Sequence, residues 1–127
     1  MIVVDTSALM AILRDEPTKT SCLDALLYEA DVYISAGTLI EAAIVSHGKR
    51  LGEEMAALLD QVRPIVMDLT EETAVVAHDS YLQWGKGVHP AGLNFGDCFA
   101  YALAKQLGCP LLFVGDDFSR TDLVSVL

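Results

Sequence analysis

The order of apolar and polar segments predicts a three-layer α/β protein, in which helices flank a parallel sheet of four to five strands. Short apolar stretches, each long enough for a strand, alternate with longer stretches that carry helix-capping residues at their starts. Hydrophobic residues make up 53% of the 127 residues, which suits a sheet whose two faces are both covered. The length predicts a single domain, residues 1–127, that can bury its own core.

The individual elements are predicted from runs of branched apolar residues for strands and from capping residues or prolines for helix starts. Glycines end two of the helices, and a glycine-rich loop covers residues 85–92. The predicted strands are 2–4, 32–35, 65–67, 111–114 and, as a short fifth strand, 123–126. The predicted helices run from Thr6 or Ser7 to about Arg14, from Pro17 to about Ala30, from Thr38 to Gly48, from Gly52 to a point before Pro64, from Glu71 to about Trp84, and from Phe95 to Leu107.

The charge balance limits how the chain could bind nucleic acid. The formal net charge is −10, from 18 acidic and 8 basic side chains, and phosphate contacts need Lys and Arg. The objection weakens if several carboxylates surround divalent ions, because a bound metal then sets the local field. Any nucleic-acid surface would have to use a few cations, such as Arg14, Lys49, Arg50, Lys86 and Arg120.

The sequence does not predict a membrane or secreted protein. No apolar run approaches the roughly 20 residues of a membrane span, and Asp5 interrupts the apolar stretch at the N-terminus, so no signal peptide is expected. The three cysteines, Cys22, Cys98 and Cys109, lack metal-binding spacing and are expected to be reduced, buried thiols. We therefore expect a cytoplasmic protein.

Acidic residues stand at four places where a strand ends or a helix begins. Asp5 follows the first strand, Glu41 and Asp97 lie near helix starts, and Asp116 and Asp117 follow the fourth strand. The carboxyl ends of parallel strands meet at one edge of the sheet. Carboxylates gathered there repel one another unless a hard cation lies between them. The pattern therefore predicts a site for Mg²⁺ or Mn²⁺, which prefer carboxylate and water oxygens.

Each acid also has a local structural explanation. Capping and turn residues are common at the ends of strands and helices, and any one acid could serve only that purpose. The joint occurrence of all four motifs, without basic partners nearby in sequence, favours the metal site. No histidine pair has zinc-binding spacing, and neither a nucleophilic serine elbow nor a phosphate-binding glycine loop is present. The local alternatives are a helix cap at Asp5, capping boxes at Thr38–Glu41 and Asn94–Asp97, and a turn at Asp116–Asp117.

Four segments together resemble a known family over essentially the whole chain. They are residues 1–9 (MIVVDTSAL), Glu41 within its helix, residues 91–104 (AGLNFGDCFAYALA) and residues 115–123 (GDDFSRTDL). In order and spacing they resemble the PIN domain family, and more narrowly the VapC ribonuclease toxins of bacterial toxin–antitoxin pairs.

The resemblance assigns roles to individual residues. Asp5, Glu41 and Asp97 match the three core acids of the family, and Thr6 matches a small hydroxyl residue that supports the site. The family often has Gly-Asn-Asp-Phe where this chain has Gly-Asp-Asp-Phe at residues 115–118. The resemblance therefore leaves the fourth acid as either Asp116 or Asp117.

The resemblance implies a Mg²⁺-dependent endoribonuclease, with Mn²⁺ as a substitute ion, that acts as a toxin, is inhibited by a cognate antitoxin and forms a homodimer. In the expected mechanism Asp5 and Asp97 bind the principal ion, while Glu41 and Asp116 or Asp117 complete its water shell. The metal activates a water that attacks an RNA phosphodiester.

Lys86 and Arg120 are candidate RNA contacts, because one lies in the loop before the Asp97 helix and the other lies just after the last acidic motif. Other functions also remain open. The alternatives are a PIN nuclease that acts in RNA maturation or on DNA, and a non-catalytic module whose acidic crevice receives basic residues of a partner. A receiver-type phosphotransfer protein would need paired acids after the first strand, where this chain has Asp5 alone.

Overall fold

Four parallel strands form one sheet in the computed structural model, which describes all residues from 1 to 127. The strand order is β3-β2-β1-β4, so the chain starts in the middle of the sheet and adds strands to either side. Every pairing is parallel, which confirms the predicted sheet. The strands are β1 Ile2–Val4, β2 Val32–Ser35, β3 Ile65–Met67 and β4 Leu111–Leu112.

Six helices connect and cover the strands. No helix is both long enough and apolar enough to cross a membrane. All three cysteines are buried and free, as the sequence predicts. The helices are α1 Thr6–Leu13, α2 Lys19–Tyr28, α3 Ala36–Gly48, α4 Gly52–Val62, α5 Glu71–Trp84 and α6 Phe95–Leu107.

The core is divided between the two faces of the sheet because successive side chains of a strand point to opposite faces. In β1, Ile2 and Val4 join a buried cluster with Leu9 of α1. Val3 points the other way and packs with residues of α6 such as Leu103. The two clusters produce the three layers that the hydrophobic composition predicts.

Three helix starts and ends differ from the sequence prediction. The second helix begins at Lys19 rather than Pro17, because Pro17 lies inside a turn closed by a hydrogen bond from the Lys19 amide to the Glu16 carbonyl at 2.9 Å. That helix also ends at Tyr28, not at about Ala30. The third helix begins at Ala36, directly after β2, so the predicted start at Thr38 is wrong.

The C-terminal part of the sheet is shorter than predicted. β4 contains two residues instead of four. The predicted fifth strand at 123–126 is reduced to one parallel bridge between Ser125 and Leu111. Two backbone hydrogen bonds hold this segment, from the Leu111 amide to the Val124 carbonyl and from the Val126 amide to the Leu111 carbonyl. The sheet therefore has four strands with a short extension at the β4 edge.

Candidate active site

Asp5 lies at the end of β1, where it is also the N-cap of α1. Its Oδ2 accepts hydrogen bonds from the Ser7 amide at 3.0 Å and the Ser7 hydroxyl at 2.6 Å. Its Oδ1 is buried and has no partner. The helix cap, which was the local alternative for Asp5, is therefore present, but it occupies only one of the two carboxylate oxygens.

Ser7 connects Asp5 to the neighbouring strand. While its hydroxyl donates to Asp5, the same oxygen accepts a hydrogen bond from the Val114 amide at 3.1 Å. The end of β1 is thereby tied to the segment that leads from β4 to the last acidic motif. Sequence reasoning assigned a supporting role to Thr6 and missed Ser7. The available signal was a hydroxyl two residues after an N-cap Asp, where it can reach the cap carboxylate.

Glu41 lies in the second turn of α3 and makes no helix cap. Ser35 caps this helix, accepting a hydrogen bond from the Gly37 amide at 3.2 Å. The alternative explanation of Glu41, a capping box with Thr38, is therefore wrong, because the helix begins two residues earlier. Instead, the Thr6 hydroxyl donates to Glu41 Oε1 at 2.6 Å, which agrees with a supporting position for Thr6.

Asp97 lies in the first turn of α6 and does form a capping box. The Asn94 side chain accepts from the Asp97 amide at 2.9 Å, and Asp97 Oδ2 accepts from the Asn94 amide at 3.0 Å. The sequence left open whether this acid would turn back to its cap or toward the crevice. It bonds the cap and also lines the cleft beside Asp5.

The last acidic motif places its two aspartates differently. Asp117 lines the same cleft as Asp5, Glu41 and Asp97. Asp116 is exposed and is not part of the cleft wall; its backbone carbonyl accepts a hydrogen bond from the Ser119 hydroxyl at 2.7 Å. Both aspartates follow Gly115, whose φ of +101° is a conformation that residues with side chains rarely adopt.

The cleft thus brings four of the five predicted acids together at the carboxyl ends of β1 and β4. Its volume is about 240 Å³. Burial, with smaller contributions from neighbouring carboxylates, raises the pKa of Asp5 to about 6 and the pKa of Asp97 to about 7. Hydrogen bonds from Ser7 and Asn94 act in the opposite direction but are weaker than the burial effect. Ionisation of Asp5 and Asp97 therefore destabilises the folded protein when no counter-charge is bound.

None of these acids forms an ion pair within the protein. The ion pairs of the chain are Met1 with Glu29, Lys19 with Asp15, and Lys105 with Asp122, and none involves a cleft carboxylate. The side chains do not form a ready-made cage of three or more metal ligands. Even so, the donors are hard oxygens, and the buried Oδ1 of Asp5 lacks a partner. This chemistry fits a Mg²⁺-type ion whose remaining ligands are water.

Of the five basic side chains that the sequence singled out, Arg50 is exposed outside both clefts, and the other four are divided between three places. Arg14 and Lys49 line the acidic cleft. Lys86 lines a second, larger cleft between α5 and α6. Arg120 donates from Nη1 to the Pro90 carbonyl at 3.2 Å, which links the 85–92 loop to the last acidic motif. The two predicted RNA contacts, Lys86 and Arg120, thus lie outside the acidic cleft.

The second cleft, of about 600 Å³, is mainly apolar. Tyr81 of α5 and Phe95 and Phe99 of α6 form much of its wall, and the two phenylalanine rings meet edge to face with centroids 4.9 Å apart. Phe95 is 79% exposed, which is unusual for a large aromatic side chain. This cleft has no cluster of acids and is therefore separate from the candidate active site.

The class of protein follows from the sheet order, the acidic cleft and a family comparison. Residues 2–124 match the PIN domain family. The chain therefore belongs to the PIN domain family, as the four sequence motifs predicted.

Curated relatives narrow this membership to the VapC group. The chain is 41% identical to the ribonuclease VapC of Mycolicibacterium smegmatis, over 98% of this chain and 99% of the relative. It is 40% identical to the ribonuclease VapC30 of Mycobacterium tuberculosis, over 98% of both chains. The similarity to both relatives extends along nearly the entire chain.

Solved structures share the fold at lower sequence identity. The Mycobacterium tuberculosis VapC20 structure, described as a sarcin–ricin loop cleaving toxin, aligns with a TM-score of 0.78 over 99% of this chain and 98% of that one, at 19% identity. A toxin–antitoxin complex from Klebsiella pneumoniae aligns with a TM-score of 0.74 over 99% and 97%, at 15% identity. These likenesses confirm the three-layer α/β fold.

Proposed function

We propose that the chain is a Mg²⁺-dependent endoribonuclease and the toxin of a toxin–antitoxin pair. The observation that carries the proposal is the cleft lined by Asp5, Glu41, Asp97 and Asp117, whose carboxylates have no paired cation. Names of the VapC relatives support RNA as the substrate, since these proteins are called ribonucleases. A structural neighbour solved as a toxin–antitoxin complex supports a protein inhibitor.

Asp5 and Asp97 would hold the principal ion, with Glu41 and Asp117 binding its water ligands. When bound, such an ion acts as a Lewis acid that activates water and offsets charge on the phosphate. Hydrogen bonds orient three of these acids, because Ser7 donates to Asp5, Thr6 donates to Glu41 and the Asn94 amide donates to Asp97. Partners of this kind fix the direction of ligand oxygens. In this proposal Asp117, rather than Asp116, is the fourth acid.

The antitoxin would inhibit by placing a basic side chain among these carboxylates while an apolar segment binds nearby. A charged hydrogen bond from such an Arg would replace the metal as the counter-charge. A flexible antitoxin segment could fold as it binds. Co-expression of the toxin with its neighbouring gene product should give a complex that neither binds Mn²⁺ nor cleaves RNA at the rate of the free protein. Equal activity of complex and free protein would disprove this mode of inhibition.

A homodimer is proposed from the exposed apolar side chains of two packed helices. On α3, Ile40 is 58% and Ile44 is 66% exposed, and Phe95 on the neighbouring α6 is 79% exposed. Large apolar side chains exposed to this degree are typical of surfaces that bind another protein. Light scattering after gel filtration should give twice the chain mass for the parent, and Ile44→Asp should shift the protein to monomer. A parent that is monomeric at micromolar concentration would remove this part of the proposal.

The nuclease proposal is tested by incubating the purified protein with total cellular RNA. Cleavage should require added Mg²⁺ or Mn²⁺ and should stop when EDTA is added in excess. Sequencing of the new RNA ends would then identify the cut site. Cleavage that is unaffected by EDTA would contradict the metal-dependent mechanism, and the absence of cleavage with both ions would contradict the nuclease assignment.

A further inference from the structure

The acidic cleft continues as a groove between α1 and α3. The α1 wall is formed by Thr6, Met10 and Arg14, which recur every four residues and so share one face of the helix. The α3 wall is formed by Glu41, Val45 and Lys49 at the same spacing. Each helix therefore begins its stripe at the acidic end of the groove and finishes it with a basic residue.

Both basic residues line the groove, and each stands at the end of its helix away from the acids. Arg14 follows the last residue of α1 and Lys49 follows the last residue of α3. Eight residues separate Thr6 from Arg14 and Glu41 from Lys49, which is about 12 Å of helix at 1.5 Å per residue. The groove is thus electrostatically polarised, with carboxylates at one end and two cations at the other.

Neither cation is occupied by another part of the protein. Four of the eight basic side chains are engaged: Lys19 and Lys105 in ion pairs, Arg63 with the Asp60 carbonyl, and Arg120 with the Pro90 carbonyl. The other four, Arg14, Lys49, Arg50 and Lys86, make no ion pair or side-chain hydrogen bond. Of these four, only Arg14 and Lys49 line the acidic cleft.

We infer that Arg14 and Lys49 form a binding site for backbone phosphates of a single RNA strand, which lies along the groove between α1 and α3. The inference rests on the proposed nuclease function and adds the direction from which the strand reaches the acids. One phosphate would be attacked at the acidic end, while a neighbouring phosphate of the same strand is held at the basic end.

Charge complementarity favours RNA over a protein segment in this groove. A partner that inserts an Arg among the carboxylates gains nothing from two further cations about 12 Å away along the helices. A polyanion gains at both cations, and the proposed ion accounts for the acidic end. On a chain of net charge −10, two unpaired cations beside the reacting position supply a large share of the available phosphate contacts.

The test measures binding of a fluorescein-labelled pool of single-stranded RNA by fluorescence anisotropy in Mg²⁺ at several KCl concentrations. An Asp5→Asn background prevents cleavage under the proposed function and retains an oxygen that can accept from Ser7. Arg14→Gln, Lys49→Gln and the double variant are compared in that background. Arg50→Gln is the matched control, because Arg50 is also exposed and unpaired, follows Lys49 directly, and does not line the cleft.

Each groove substitution should flatten the log–log salt dependence by about 0.7, the value for one phosphate contact on a single strand. The double variant should show about twice that change, Arg50→Gln should match the background protein, and Arg14→Lys should retain the slope. Equal slopes for all variants, or no measurable RNA binding by the background protein, would overturn the inference. If Arg14→Gln and Lys49→Gln bind RNA like the background protein but no longer copurify with the antitoxin, the groove is a protein-binding surface and the inference is also wrong.

The same series separates this inference from the proposed function. Should Arg14 and Lys49 control RNA binding while the parent protein never cleaves RNA, the nuclease proposal fails and the phosphate site stands. Should the parent cleave RNA with parallel salt curves for every variant, the phosphate site fails and the nuclease proposal stands.

Discussion

The carboxylate of Glu41 occupies the space that a β-carbon on Gly96 would need. Gly96 lies in the first turn of α6, directly before Asp97, so the absence of a side chain there lets α3 bring Glu41 up to the Asp97 helix. A second close approach supports the same packing, since a β-carbon on Gly37 of α3 would lie 2.6 Å from the Phe99 ring of α6. Two glycines therefore set how closely the two acids approach.

Gly96→Ala should displace Glu41 without unfolding the protein. The atoms in the way are the end of a flexible side chain, which can rotate, so the main loss is the Thr6–Glu41 hydrogen bond, about 1 kcal/mol. RNA cleavage should fall by at least about tenfold, which corresponds to 1.4 kcal/mol at the transition state.

Gly48→Ala is the matched control for Gly96→Ala. Gly48 is also helical, and nothing lies within 4 Å of the position a β-carbon would take. This variant should cleave RNA at the parental rate and unfold at an equal or slightly higher temperature, because Ala favours helix over Gly. Parental cleavage by Gly96→Ala would show that the position of Glu41 has no role in the reaction.

The neighbouring acids Asp116 and Asp117 should differ in their effects. Asp117→Asn removes a carboxylate from the cleft wall and should reduce cleavage at least about tenfold. Asp116→Asn changes an exposed side chain outside the cleft and should leave cleavage within a factor of about two. Initial cleavage rates of the two variants on one RNA substrate show which aspartate is the fourth acid. A larger loss of rate for Asp116→Asn than for Asp117→Asn would reverse the assignment.

The buried acids predict a pH-dependent stability in the absence of divalent metal. Burial raises the pKa of Asp5 to about 6 and of Asp97 to about 7, so the folded chain binds protons more tightly than the unfolded chain, whose aspartates titrate near 3.8. The free energy of unfolding must therefore fall as the pH rises from about 4 to about 7, and then level off.

Melting in EDTA should show this effect as a decrease in Tm of at least about 3 °C between pH 5 and pH 8, since 1 kcal/mol moves the Tm of a domain this size by several degrees. Asp97→Asn should show a smaller decrease, and added Mg²⁺ should raise the Tm of the parent at pH 8. A Tm that increases over the same pH range would contradict the raised pKa values of the two acids.

A network of side-chain hydrogen bonds holds the C-terminal segment to α6. The Trp84 indole donates to the Tyr101 hydroxyl at 2.9 Å, which donates to Asp122 Oδ1 at 2.6 Å, and Lys105 donates to Asp122 Oδ2 at 2.8 Å. Burial, together with the bond to Asp122, raises the pKa of Tyr101 to about 12. The Tyr101 hydroxyl therefore stays protonated and remains a donor throughout the neutral range.

Tyr101→Phe should destabilise the protein by about 1–3 kcal/mol, because it removes two hydrogen bonds and leaves the Trp84 indole without its acceptor. Urea unfolding would measure the change. Tyr28→Phe is the control. Tyr28 is 86% exposed and makes no side-chain hydrogen bond, so removal of its hydroxyl should leave the free energy of unfolding almost unchanged. Equal unfolding midpoints for the two variants would show that this hydrogen-bond network contributes nothing to stability.

The sequence predicted the layer order and most element bounds because those depend on local patterns. The apolar run at 2–4 and the Asn94 cap with Gly108 at the other end of its helix are each sufficient to define an element. The start of α3 was missed because Ser35 serves both as the last residue of β2 and as the helix cap, which leaves no loop to recognise. The turn at Pro17 was missed because proline is common both in turns and at the first position of a helix.

The candidate site shows the same limit. The acids could be listed from the sequence, since each stands beside a strand end or a helix start. Their partners could not, because the Ser7 hydroxyl reaches Val114 across 107 positions of the chain and Glu41 meets Gly96 through helix packing. The sequence does not show that Arg14 and Lys49, alone among the basic residues, line the acidic cleft, because this depends on the packing of α1 against α3.

The proposed metal-dependent active site predicts a large loss of RNA cleavage in Mg²⁺ for Asp97→Asn. The substitution removes one charge from the cleft but retains an oxygen that can accept from the Asn94 amide, so the cap of α6 and the fold should survive. Cleavage by Asp97→Asn should fall to the level of the parent in EDTA, while the variant should melt at an equal or higher temperature than the metal-free parent at pH 8. Cleavage at a near-parental rate by a folded Asp97→Asn would contradict the metal-dependent active site.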